Sequence, residues 1–259
     1  MRRSIDFPDE PKIFGTANLV DSRRTDRLVT LASLLAKHTG KSLAAACEGN
    51  DALLEGNYRF IRNQQVNPMQ IRKAGYESTV DLAQDIPVLL SLEDTTSLSY
   101  KHQAASELGK LGQESDKSRG FWVHSNLLLD ARTQQTVGLI HQEWWMRPDN
   151  PEDADVKESG KWVDSSALCR LRLGELISQV INVCDREADI FDYFMDKIDH
   201  QERFIVRAKN MRKVEESGLP LDEHLRRLSP LGGYELYIPQ KDMVDKRGKR
   251  KNRPARKAR

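Results

Sequence analysis

Long hydrophobic runs, cysteines and aromatic residues are all scarce in this chain of 259 residues. No run reaches the roughly 18 apolar residues that a membrane span requires, so no membrane partner is expected. Cys47, Cys169 and Cys184 are an odd number without close spacing, which offers neither a disulfide framework nor a thiolate zinc site. The six histidines share no ligand spacing, and His141, in Leu139-Ile140-His141-Gln142-Glu143, reads as a packed strand residue. The start, Met1-Arg2-Arg3-Ser4-Ile5-Asp6-Phe7, has no apolar core of signal-peptide length, which makes a cytoplasmic location the default.

Charge is plentiful: 31% of residues are charged against 38% hydrophobic, the balance of a soluble protein long enough to bury a sizeable core. The net charge of +2 conceals an asymmetry. From Lys241 to Arg259 ten Lys or Arg face only Asp242 and Asp245, a local +8, so the rest of the chain sums to −6. Such a block attracts a polyanion, with nucleic acid the first candidate, or is a solvated tail.

In chain order, a helix is predicted over 21–38, capped by Asp21 or Ser22, with Leu28, Leu31 and Leu35 recurring on one face. Arg23, Arg24 and Arg27 crowd its first turns, where cations suit the helix dipole poorly and an external anion suits them well. Lys37 and Lys41 add charge near its end. A short helix follows Ser42, and a third from Asp51 is expected to place Leu54, Tyr58 and Ile61 on one face, with Arg59 and Arg62 elsewhere on its surface. Asn67-Pro68-Met69-Gln70 opens a fourth helix that ends before Pro87. Short helices with basic outer faces suit a small DNA-binding domain, or a helical cap that is basic for no functional reason.

Val88-Leu89-Leu90-Ser91-Leu92-Glu93-Asp94-Thr95-Thr96 then reads as a buried strand that ends by delivering Asp94. A polar loop is expected beyond Thr96, then a hairpin of strands over 121–129 and 136–145, a helix over 161–178, a strand Val180-Ile181-Asn182-Val183-Cys184 ending at Asp185, a helix through Ala188, Phe191 and Met195, and a strand over 204–207. The order of three strands, helix, strand, helix, strand gives a mixed sheet with helices on its faces, the ribonuclease-H-like arrangement, in which the first and fourth strands are neighbours. Asp94 and Asp185 would then lie close together. Paired carboxylates repel unless one is protonated or a cation lies between them, and a hard divalent ion such as Mg2+, with Mn2+ as substitute, would let the pair work on a phosphodiester. The competing explanation is that each aspartate caps a turn. Glu93, pointing away from Asp94, is read as a supporting or surface residue, and Glu187 and Asp189 as serving the next helix's first turn.

Several motifs are recognisable: Gly56-Asn57-Tyr58-Arg59-Phe60-Ile61-Arg62-Asn63, Leu92-Glu93-Asp94-Thr95-Thr96-Ser97, Lys117-Ser118-Arg119-Gly120, Trp144-Trp145-Met146-Arg147-Pro148, Cys184-Asp185-Arg186-Glu187-Ala188-Asp189 and Val244-Asp245-Lys246-Arg247-Gly248-Lys249-Arg250. With these the chain resembles, over nearly its whole length, the insertion-sequence-four (transposon-five-type) family of bacterial cut-and-paste transposases. The resemblance implies a small all-α DNA-binding domain over 1–65, a ribonuclease-H-like α/β core over 66–210, and the start of a basic insertion over 211–259. It implies that Asp94 and Asp185 are the first two carboxylates of an Asp-Asp-Glu triad, that Arg207 and Lys209 lie against double-stranded transposon-end DNA, and that Lys246, Arg247, Lys249 and Arg250 also touch DNA. In the family the third carboxylate lies on a later helix in a Tyr-Arg-Glu-Lys motif, followed by a C-terminal dimerisation domain. Neither precedes Arg259. The expectation is therefore a chain lacking the final helix and the dimerisation domain, with apolar sheet surface exposed, that binds DNA without efficient cleavage; a homodimer is expected only of the complete family member. A non-catalytic DNA-binding regulator is the rival reading. A stand-alone nuclease borrowing Glu143 or Glu187 as its third acid is a further one.

Overall fold

The computed structural model describes residues 13–100, 103–112, 118–148, 158–238, 241–244, 250–253 and 256–258. It divides into two compact units, 1–209 and 210–259.

Among the described residues the helices α1 (Ser22–Lys37), α2 (Leu43–Ala46), α3 (Asp51–Arg62) and α4 (Pro68–Ala83) precede the sheet of the first unit. Each has a polar N-cap whose side chain accepts a free amide of the first turn: Asp21 from Arg23, Ser42 from Ala45, Asn50 from Leu53 and Asn67 from Met69. A cap of this kind is worth about 1 kcal/mol. Leu28 and Leu31 of α1 close a small core with Phe60 of α3 and Ala74 of α4. The buried face of α3 is not the expected one. Asn57 and Phe60 point inward, and Ile61 is 59% exposed. Val20, just before α1, has φ +70° and is 92% exposed. The left-handed region is costly for a β-branched residue, so Val20→Gly should stabilise the unit by about 0.5–1 kcal/mol in urea unfolding.

The sheet has six strands: β1 (Leu89–Tyr100), β2 (Gly109–Lys110), β3 (Arg119–Asp130), β4 (Thr136–Trp145), β5 (Val180–Cys184) and β6 (Arg203–Val206). Their order is β2-β3-β1-β5-β6, with β4 also paired to β3. β1 pairs antiparallel with β3 and parallel with β5, and β5 pairs parallel with β6, so the sheet is mixed. β1 runs six residues past Asp94. The stretch expected to be a polar loop is instead the outer half of a long strand, held by a ladder to β3 that extends to Tyr100↔Arg119.

Between the strands come α5 (Lys161–Leu173) and α6 (Phe191–Asp199). The helix expected over 161–178 is α only to Leu173. Gly174, at φ +54° and ψ −125°, stops it, and residues 174–179 continue as a 3-10 turn. α4 and α5 bury Ala83, Cys169 and Leu173 against Leu89, Leu128, Ile140 and Val180, while Trp162 and Tyr193 meet Cys184. These strand residues share one side of the pleat. On the alternate side Leu90, Leu92, Leu127, Leu129, Ile181 and Val183 are half-buried, and Ile205 is 58% exposed.

The second unit holds α7 (Leu221–Arg227) and two antiparallel pairs, β7 (Leu236–Ile238) with β10 (Arg256–Ala258), and β8 (Lys241–Val244) with β9 (Arg250–Arg253). Among the described residues no helix is long and apolar enough to cross a membrane.

Candidate functional site

The parallel register between β1 and β5 runs from Leu89↔Val180 to Glu93↔Cys184. One step further along both strands are Asp94 and Asp185. Asp94 lies inside β1, opposite Ser125 of β3, so it caps no turn. Asp185 does: its Oδ1 accepts the Glu187 amide at 2.7 Å and caps the 3-10 turn over Arg186–Ala188. Among the described residues its other oxygen meets no hydrogen-bond donor. Both aspartates are exposed. Among the described residues no cationic side chain forms an ion pair with either.

The acids beside them take other roles. Glu93 is neither on the surface nor beside Asp94. Strand alternation turns it into the helix-covered side, where it is buried with His124, Cys184 and Tyr193. That placement was readable, because Glu93 continues the inward series Leu89, Ser91. Asp189 is buried, and its carboxylate accepts the Lys209 amide at 2.6 Å, tying down the segment after β6. Glu187 faces Lys161 at 3.9 Å. Among the described residues no group of three or more His, Cys, Asp or Glu could hold a metal, so neither Glu143 nor Glu187 completes the aspartate pair.

His141 is buried, with Nδ1 2.9 Å from an Arg172 guanidinium nitrogen. Burial first, then that guanidinium, hold its pKa down to about 4. An unfolded imidazole titrates near 6.5, so as pH falls from about 6.5 to about 4 the unfolded chain takes up a proton that the folded chain refuses. Stability should drop by about 2 kcal/mol between pH 7 and pH 5 through this group. Urea unfolding at both pH values checks it, and His141→Gln should flatten the dependence.

The basic candidates divide by environment. Arg23 bonds the Asp21 cap at 2.8 Å, which offsets its poor fit to the helix dipole. The hydrogen bonds from the Arg23 side chain and then from its amide hold the Asp21 pKa down to about 2. Arg24 donates to the Leu19 carbonyl at 3.1 Å and to Gln65. The Arg27 guanidinium lies over Gly56, where an added Cβ would be 3.1 Å from its Cζ. Arg23 and Arg24 thus also make contacts within the chain, to the Asp21 cap and to Leu19 and Gln65. Arg59 is exposed and paired with Glu55, and Lys41 lies near His38 and Glu48. Lys37 is exposed, and Arg62 is exposed over the Tyr58 ring, neither with a carboxylate partner among the described residues. Arg207 and Lys209 are exposed beside the end of β5: the Arg207 amide donates to the Cys184 carbonyl at 3.2 Å. Lys246, Arg247 and Lys249 lie outside the described residues. Arg250 begins β9.

The opening helices, with their caps and their exposed Lys37 and Arg62, fill a region that matches a known family. Residues 11–66 match the transposase DNA-binding family. The matched segment covers α1, α2 and α3 and ends at the turn before α4. About two thirds of the chain is also similar to solved structures at low identity. One is endonuclease V of Ciona intestinalis in complex with a DNA 24mer containing an inosine followed by a ribo-adenosine, at 17% identity over 66% of this chain and 72% of that one, TM-score 0.29. Another is the Mos1 mariner paired end complex with Mn, at 10% identity over 69% of this chain and 58% of that one, TM-score 0.28.

Proposed function

We propose that the chain is a DNA transposase of the Asp-Asp-Glu type, from the insertion-sequence-four family, and that its mixed sheet is a ribonuclease-H-like core carrying Asp94 and Asp185 as a divalent-ion site. The observation that carries this reading is the parallel β1–β5 register, which continues to two exposed aspartates on neighbouring strands, in a chain whose first helices match a transposase DNA-binding family. The donor set suits Mg2+ or Mn2+: hard oxygen ligands of like charge, with no side-chain cation among the described residues paired with them. Asp94 and the free oxygen of Asp185 would hold the ion, which when bound would stabilise charge on phosphodiester oxygens. The residues of the chain itself do the rest. The Glu187 amide fixes the Asp185 carboxylate, while Arg207 and Lys209, exposed beside the end of β5, meet backbone phosphates. Double-stranded transposon-end DNA lies on the α1–α3 segment through Lys37 and Arg62.

Among the described residues no third acid joins the pair, so the 259-residue chain should hold DNA without efficient cleavage. The same observation favours a second reading, a DNA-binding regulator without catalysis. Binding to duplex DNA over a range of salt tests the common part. Log K should fall linearly with log salt, and Lys37→Ala and Arg62→Ala should each lower the slope by about 1. Salt-independent or absent binding would contradict both readings. Brisk Mn2+-dependent nicking abolished by Asp94→Ala would remove the regulator and the expectation of weak cleavage together.

A further inference from the structure

Directly behind the aspartates, on the helix-covered side of the sheet, sits a buried polar cluster that the reading above does not use. Its centre is Glu93, 2% exposed. Three donors from three elements reach its carboxylate: His124 Nε2 of β3 at 3.0 Å, the Tyr193 hydroxyl of α6 at 3.1 Å and Cys184 Sγ of β5 at 3.6 Å. His124 Nδ1 lies 2.8 Å from Thr95 Oγ1. A neutral imidazole satisfies both contacts if Nε2–H donates to Glu93 and Nδ1 accepts the threonine hydroxyl. Trp162 stands edge-on to this ring at 4.7 Å, and Tyr193 Oη lies 3.1 Å from Cys184 Sγ.

A leucine at position 93 would continue the apolar inward series of β1 without desolvating a carboxylate. What the acid adds is geometry, because directed hydrogen bonds fix the relation between elements more tightly than apolar contact does. Glu93 and Cys184 are register partners, and each immediately precedes one of the two aspartates. Contact between their side chains therefore sets how the backbones carrying Asp94 and Asp185 stand to one another, and His124 and Tyr193 brace that contact from β3 and α6.

We propose that Glu93 is a positioning residue for the Asp94–Asp185 pair, holding the two strand ends in register through Cys184, His124 and Tyr193. This rests on the reading of the pair as a divalent-ion site. Mn2+ binding by the full chain, followed by electron paramagnetic resonance, tests it. The variants are Asp94→Ala, Glu93→Gln, Tyr193→Phe and, as a core change elsewhere in the sheet, Ile140→Val. Glu93→Gln should weaken Mn2+ binding about 10- to 100-fold. Tyr193→Phe, which removes a single hydroxyl, should weaken it by less, and Ile140→Val should bind as the unmodified chain does. If Glu93→Gln does not fold, Tyr193→Phe decides. Unaltered Mn2+ binding in the folded Glu93 and Tyr193 variants would overturn the positioning role and leave the metal reading standing. An unmodified chain that binds no more Mn2+ than Asp94→Ala would overturn both.

Discussion

Gly120→Ala should unfold the sheet rather than loosen it. Gly120 lies in β3 opposite Ser99 of β1, and a Cβ there would fall 1.8 Å from the Leu98 carbonyl oxygen and 2.9 Å from Leu111 Cδ1. The first obstacle is backbone, held by a ladder that runs along the whole of β1, so no side-chain rotation relieves it. Either the outer half of β1 parts from β3 or the register slips, and a one-residue slip would turn Glu93 outward and Asp94 inward. A loss of about 4 kcal/mol or more is expected, the range reached only when something rigid must move. Urea unfolding followed by tryptophan fluorescence measures it, with Gly232→Ala as the comparison, since nothing lies within 4 Å of its added Cβ. A Gly120→Ala chain as stable as the Gly232→Ala chain would contradict the close β1–β3 approach.

Glu202→Ala should cost nearly as much for an electrostatic reason. Lys197 is 0% exposed, and its ammonium lies 2.7 Å from Glu202 Oε2. The same oxygen accepts from Asn182 Nδ2 at 3.2 Å, and Arg170 bonds both Glu202 and, at 3.0 Å, Asp196. This cluster joins α5, α6 and β5 to the turn before β6. Removing Glu202 strands a buried ammonium without its counter-charge, a loss of about 3–5 kcal/mol. Adding Lys197→Met should recover part of it, because the unpaired charge then disappears with its partner. A single Glu202→Ala that costs under about 1 kcal/mol in urea unfolding would show that Lys197 finds another partner or reaches water.

These features differ in how far a sequence reveals them. The strand before Asp94, the strand before Asp185 and the hairpin between them follow from short apolar runs and turn residues, and their parallel adjacency follows from strand order. The continuation of β1 to Tyr100 did not. Asp94-Thr95-Thr96-Ser97 has the composition of a stop, and only the distant ladder from β3 keeps it extended. The inward face of α3 was hidden because it carries Asn57, fully buried near Cys47 Sγ at 3.8 Å, whereas hydrophobicity pointed to Ile61. The end of α5 turns on one glycine in a backbone conformation that other residues avoid. Glu202 and Lys197, five residues apart across a helix end, look like ordinary surface charges until the fold closes over them. For the candidate site, the pairing of strands was legible and the buried support behind it was not, since a lone acid in an apolar run does not say which donors will meet it.

The proposed function requires Asp94 and Asp185 to share one divalent ion. A Mn2+ titration of the unmodified chain, Asp94→Ala and Asp185→Ala, read by electron paramagnetic resonance, tests it most directly. One Mn2+ per chain is expected, lost in either single variant alone, as a shared ion requires. Either variant retaining that Mn2+ with unchanged affinity, or each removing only a separate part of the bound metal, would contradict it.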